Sequence, residues 1–262
     1  MLFFGLSTWA LALALLVVVV GATVVGHFIG RAKRGKSDDL REPFAVIQAA
    51  LIGFMGLVLA FGISLAVGRY EARRAAVVDE SNAIGTAYLR AQTLGEPVRT
   101  ESLALLQRFA DISIRLTGTV PGSPEEAEAV AASGAVERDL WTLVGGALDA
   151  APVATAPRLY EESLNEMFDA QSTRIYGLRN RVPTAVLLLE VLGAAVALAA
   201  LALHLATLGR GIMTVLMAAV LVVLALQVTF DLDRPTRGLI QISAEPLTQV
   251  RTSMTIPARP GG

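Results

Sequence analysis

The chain contains no cysteine. That excludes disulfides, thiol nucleophiles, iron–sulfur clusters and the cysteine-built zinc sites in one step. It leaves the compartment open, because a cysteine-free chain suits either side of a membrane. Histidine is nearly as scarce, with two in 262 residues, so a histidine-based metal centre or hydrolase triad has almost no material to build on. Charge is thin as well: 17% of residues are charged, where a soluble domain carries roughly a quarter. The 22 basic and 23 acidic residues nearly cancel, and no basic patch interleaved with aromatics occurs, so nothing argues for a nucleic-acid partner. The chain has no HExxH, GxSxG, phosphate-binding loop or dinucleotide fingerprint. It therefore reads as a non-enzyme with no cofactor and no metal.

What is present is apolar. Hydrophobic residues make up 54% of the chain and the mean hydropathy is +0.58. Four runs, Trp9–Ile29, Ala45–Val67, Thr184–Leu208 and Ile212–Phe230, are each long enough for a helix to cross a hydrocarbon core, which takes about 20 residues. The first does not read as a signal peptide. "MLFFGLST" lacks a basic leader, the apolar run is too long, and "RAKRGK" follows it. The last two runs are joined by "GRG", which predicts a tight antiparallel hairpin.

The expectation is an all-α, multi-pass membrane protein, with the bilayer as its first partner. Residues 1–67 form helices one and two with a short basic loop, and 68–183 form a juxtamembrane helical module. Residues 184–230 are the membrane hairpin, and 231–262 an exit motif and tail. Within the module, Tyr70, Val77, Ile84, Tyr88 and Ala91 fall on one helical face and no proline interrupts the chain from Ala45 to Gly95. The second membrane helix is therefore expected to run on as a rod until Gly95 and Pro97 stop it. A second helix is expected over Thr100–Leu116, and a third from the Ser123–Pro124 cap to Leu148. A fourth carries Leu164, Met167, Phe168, Gln171, Ile175 and Leu178. "GLIQIS" near the end reads as extended chain or the start of a short helix.

Orientation is nearly balanced. The cluster Arg31, Lys33, Arg34, Lys36 and Arg41 favours the cytoplasm. The other face carries Arg69, Arg73, Arg74, Arg174, Arg179, Arg181, Arg234 and Arg237. The compact cluster slightly favours an outside N-terminus.

Small residues recur at four-residue spacing in helix two (Gly56, Ala60, Ser64, Gly68) and helix one (Ala22, Gly26, Gly30). Such faces let backbones approach closely in lipid, within one chain or between copies, and some line a pore. Glu190 and His204 lie on nearly one face of the third membrane helix. A carboxylate at bilayer depth costs on the order of 3 kcal/mol to insert, so it faces protein or water. Two readings stand: a site on an ion path, or a carboxylate just below the interface paired with Arg181 or another arginine. Just beyond helix two, Arg69, Glu71, Arg73, Asp79, Glu80 and Asn82 crowd a few turns. They read either as a solvated face satisfied by its own i,i+3 and i,i+4 pairs or as fixed charge ringing a passage. Asp231, Asp233, Arg234, Pro235 and Gly238 form the exit motif. There the aspartates mark the interface, Pro235 ends the helix, and Asp79 or Glu80 is expected to meet Arg234 or Arg237, so that the motif reads either as a structural clamp or as an ion or ligand site at the membrane mouth.

Two stretches, "RYEARRAAVVDESNAIGTAYLRAQTL" and "LDRPTRGLIQISAEPLTQV", resemble the hallmark segments of the bestrophin-like domain proteins of bacteria. Asp233, Arg234, Pro235, Gly238, Leu239, Ile240, Gln241, Ile242, Ser243, Pro246 and Leu247 match the family's tail one by one. The resemblance implies four membrane helices with a helical region between the second and third. Through the bestrophins, which are oligomeric anion channels, it further implies a homo-oligomer with a channel-like or transport role and a small ion as ligand. The alternative is a membrane-anchored helical module that senses a ligand or partner without conduction.

Overall fold

A computed structural model describes residues 7–34, 41–234 and 236–254, with the backbone alone for 41–43. Eight helices are found among them: α1 (Thr8–Ala32), α2 (Arg41–Ala91), α3 (Val98–Thr117), α4 (Pro124–Ala150), α5 (Thr155–Arg179), α6 (Thr184–Thr207), α7 (Met213–Leu232) and α8 (Glu245–Ser253). The described residues contain no strand, so the all-α expectation stands. Four helical segments are long and apolar enough to cross a membrane. The predicted rod is present, because α2 runs unbroken for 51 residues. Of the two readings of "GLIQIS", extended chain or the start of a short helix, neither named the position found: helix α8 begins two residues beyond it, at Glu245. The chain divides into two compact units, one of Met1–Arg69 with Arg181–Gln241, the other of Tyr70–Asn180 with Ile242–Gly262.

In the first unit, α1 packs along α6 and α7. Its inward residues Leu11, Leu15, Val19, Thr23, Gly26 and Gly30 recur every three or four positions, which is one helical stripe. Gly26 and Gly30 let the backbones meet. A Cβ on Gly26 would overlap the Ala199 carbonyl, and one on Gly30 would overlap the Leu203 carbonyl. The small-residue face of α1 is therefore consumed inside the chain. Opposite it, α6 presents the backbone of Ala199 and Leu203 and the methyl of Ala206. At the far end of the hairpin Gly209 takes a φ of +77°, and the Arg34 guanidinium fills the space where a side chain would stand.

The first part of α2 buries a sparse line, Gln48, Met55, Gly62 and Ala66. The first three fall seven apart. Met55 lies against Gly193 of α6, and a Cβ on either Gly62 or Gly193 would collide with the side chain facing it.

The second unit is a bundle of the later part of α2 with α3, α4, α5 and α8. Its core contains Ile84, Leu106, Phe109, Leu116, Leu140, Tyr160, Leu164 and Met167. The Ser123 hydroxyl accepts the Glu126 amide at 3.2 Å, and Glu126 in turn accepts the Gly122 amide at 2.6 Å. That exchange is the expected start of α4. Helix α8 begins where the Ser243 hydroxyl accepts the Glu245 amide at 3.1 Å, followed by Pro246 in its first turn. Ser81 donates to the Pro246 carbonyl at 2.8 Å, Tyr88 and Gln107 donate to the Met254 carbonyl at 2.5 and 3.1 Å, and Arg251 forms a fork on Asp111 at 2.8 and 3.2 Å.

Candidate functional site

Glu190 lies in the second turn of α6, where its neighbours Leu187, Val191 and Ala194 are also buried. Its side chain is wholly buried against Gly62 of α2. A Cβ at position 62 would collide with the carboxyl oxygen. Neither oxygen has a hydrogen-bond partner among the described residues. The expected pairing with Arg181 is therefore corrected. Arg181 precedes α6, and its nearby carboxylate is that of Asp233. Glu190 reaches inward because helical periodicity puts position 190 on the stripe that faces α2, whereas Arg181 belongs to the chain before the helix begins. His204 is half-buried near the other end of α6, its ring 5.7 Å from that of Phe44. Fourteen residues of helix separate the two by about 21 Å, so Glu190 and His204 form no common site.

The four small residues expected to pack helix two are all on its outside. Gly56, Ala60, Ser64 and Gly68 are exposed, and a Cβ added to Gly56 or Gly68 meets nothing within 4 Å. Gly62 and Met55 make the internal contact instead. The reason is register: contacts on the chain's own helices use the seven-residue line, and the four-residue series lies on another side. Sequence reasoning missed Gly62, although Gln48, Met55 and Gly62 at equal spacing were the signal for it.

The juxtamembrane charges divide by face. Glu71, Asp79 and Asn82 are exposed, while Arg73 and Glu80 are buried. Glu71 makes an open i,i+3 pair with Arg74 at 3.8 Å, of the kind worth only tenths of a kcal/mol. Arg69 is half-buried and belongs to the first unit. Glu80 is engaged inside the bundle by Arg174 of α5, with both side chains buried. Around them Ser113 donates to Glu80 at 2.7 Å, and Arg174 donates to the Thr117 hydroxyl at 3.0 Å and the Ser113 carbonyl at 3.2 Å. The sequence reading set Glu80 opposite Arg234 or Arg237; its ion-pair partner here is Arg174. Periodicity explains the difference, since Glu80 shares the inward stripe with Val77, Ile84 and Ala87.

The exit motif ties separate stretches of the first unit together. Asp231 accepts the Leu239 amide at 2.9 Å and the Ile240 amide at 2.8 Å, one on each oxygen. That folds the chain after α7 back on itself. Gly238 is required there, because a Cβ would stand 2.6 Å from the Asp231 carboxyl oxygen. Asp233 accepts the Val182 amide at 3.0 Å and so ties the chain entering α6 to the chain leaving α7. Thr8 donates to the Arg237 carbonyl at 3.1 Å, which brings the start of α1 to the same level. Arg234 is buried beside Asp231. Burial lowers its proton affinity, Asp231 opposes that, and Arg181 and Arg237 add to it by repulsion. Pro235 lies outside the described residues.

In the bundle, an open cleft of about 470 Å³ is lined by Glu137, Arg138, Trp141, Thr142, Asn165 and Phe168. Burial raises the Glu137 carboxyl, and Arg138 opposes it. No group of histidines, aspartates and glutamates that could hold a metal occurs among the described residues.

The sequence matches the profile described as Bestrophin-like domain over residues 12–247. No curated protein matches it. Among solved structures, one described only as a membrane protein superposes with a TM-score of 0.66 at 14% identity, covering 92% of this chain and 97% of the other. Two point variants of a bacterial Bestrophin homolog from Klebsiella pneumoniae give TM-scores of 0.61 and 0.63 at 11% and 12% identity. They cover 90% of this chain and 97% and 96% of theirs. At these identities the likeness establishes the fold.

Proposed function

Because the chain belongs to the Bestrophin-like family, we propose that it is one subunit of a homo-oligomer in a bacterial cytoplasmic membrane that gives small ions a path along α2. The observation that carries this reading is the uncovered face of Gly56, Ala60, Ser64 and Gly68. In lipid there is no hydrophobic drive to hold helices together, so a small-residue face functions where another helix or a narrow passage meets it. On α1 the same pattern is already covered by α6. On α2 it is left for a neighbouring subunit or a conduit.

Glu190 sits behind α2, with its oxygens against Gly62. Its role in this reading is to set the position of α2 and, when hydrated, to offer an ion a carboxylate at membrane depth. The test is flux from vesicles holding the purified protein, with Glu190→Gln beside the parent. Flux above empty vesicles, changed severalfold by the substitution, is the expected result. Flux that ignores it keeps the conduit and makes Glu190 a packing residue. No flux across several salts and voltages from folded protein refutes conduction.

The second reading is a membrane-anchored sensing module. The exposed cleft at Trp141 and Phe168 favours it, since an aromatic wall with convergent polar groups suits a small ligand or peptide.

A further inference from the structure

The loop closed by Asp231 gathers three arginines at one level of the first unit. Arg181 stands immediately before Val182, whose amide is bound by Asp233. Arg234 and Arg237 lie on the loop itself, and each of the three guanidiniums feels another of the set through space. Against three positive charges stand two aspartates, a surplus of one. Both aspartates are also committed to the backbone, Asp231 through both oxygens. Arg237 is exposed and has no carboxylate partner among the described residues.

Two apolar side chains flank this charge. Leu239, two residues along the loop, is 78% exposed. Trp9, 80% exposed, follows the Thr8 that bonds to the Arg237 carbonyl. The level is that of a bilayer interface: α1 begins there at Thr8, α7 ends there at Leu232, and α6 begins three residues after Arg181. Tryptophan concentrates at that depth, and a long cationic side chain there meets lipid phosphate. A free anion in water would give no reason for an exposed leucine and tryptophan beside the cations.

We propose that Arg237, with Arg181 and Arg234 behind it, binds the phosphate of an anionic phospholipid whose acyl chains lie beside Trp9 and Leu239. The lipid extends the clamp: it bridges the loop after α7 to the first turn of α1 and supplies the negative charge that two aspartates leave short. This goes beyond ion conduction and does not depend on it.

The test uses the full-length protein in mild detergent with phosphatidylglycerol and phosphatidylcholine in competition, the retained lipid being counted by native mass spectrometry. The parent is expected to prefer phosphatidylglycerol, and Arg237→Gln to reduce its retention about fivefold, the order expected for one cation at an anionic surface. Arg31→Gln, near the other end of α1, should leave it unchanged. Trp9→Ala provides a second folded variant with a weakened lipid contact, and reduced retention is expected there too. Equal retention by the parent, Arg237→Gln and Trp9→Ala overturns the proposal. Displacement of the lipid by excess inorganic phosphate alone also overturns it, because the site would then be one for a free anion. The readout is bound lipid and not flux, so failure here leaves the conduit standing, and absence of flux leaves the lipid count standing.

Discussion

Three of the buried acids, Glu80, Asp231 and Glu190, meet three different fates, and each fate follows from what the fold puts opposite the carboxylate. Glu80 meets Arg174 and a shell of hydroxyls and amides in the bundle core. Removing one partner of such a pair leaves an uncompensated charge, which costs on the order of 3–5 kcal/mol. Asp231 meets two backbone amides, an arrangement that turns the chain and needs a glycine beside it. Glu190 meets a glycine, with no donor among the described residues. Tyr160 is the comparable neutral case. Its phenol is fully buried beside Ser102, and burial pushes its pKa up to about 12. An unfolded chain loses that proton near pH 10, so between about 10 and 12 the unfolded state binds fewer protons and stability falls as pH rises. The stabilising contribution is present below pH 10 and is lost through the folded value. Alkaline unfolding monitored by circular dichroism should show Tyr160→Phe less pH-sensitive than the parent in that window, by about 2 kcal/mol.

At the scale of the element, α1 and α2 carry the same small-residue signature and use it oppositely. α1 spends it on α6, where Gly26 and Gly30 touch carbonyls of the facing backbone. α2 keeps it outside and packs inward through Met55 and Gly62. Gly26→Val should therefore cost on the order of 3 kcal/mol or prevent folding, because backbone cannot move aside as a flexible side chain can. Gly56→Val should leave the melting temperature of the subunit nearly unchanged while altering assembly or flux. Melting followed by fluorescence in detergent, with size-exclusion chromatography beside it, separates the two. Equal destabilisation by both substitutions would contradict the division of labour between the helices.

For the whole molecule, the proposed homo-oligomer raises the question of what meets α2 between copies. The absence of cysteine makes this directly measurable, since Ser64→Cys carries the sole thiol. If the α2 faces converge, oxidation should link subunits into dimers, or a membrane-impermeant thiol reagent should reach the residue through a wet passage. A thiol that resists both reports a lipid-covered face and moves the balance to the sensing module and its cleft at Trp141. The likeness to known structures extends over nine-tenths of the chain and concerns its fold.

The sequence alone determined the all-α class, the four apolar spans, the long α2 and the family resemblance. Each depends on a local quantity: run length against bilayer thickness, a periodicity of 3.6, a proline-free stretch, or a motif in contiguous residues. It also marked the exit motif as special, because two aspartates, a glycine and a proline in so short a span have few roles outside a turn. Tertiary structure decided which side of each helix meets which neighbour. Only there does Gly62, and not the series from Gly56 to Gly68, receive α6. Only there does Glu80 find Arg174, ninety-four residues away, and Glu190 find no donor among the described residues. Helical spacing puts residues on a common face, but the partner that face acquires depends on how separate segments pack. A sequence read one helix at a time does not contain that packing.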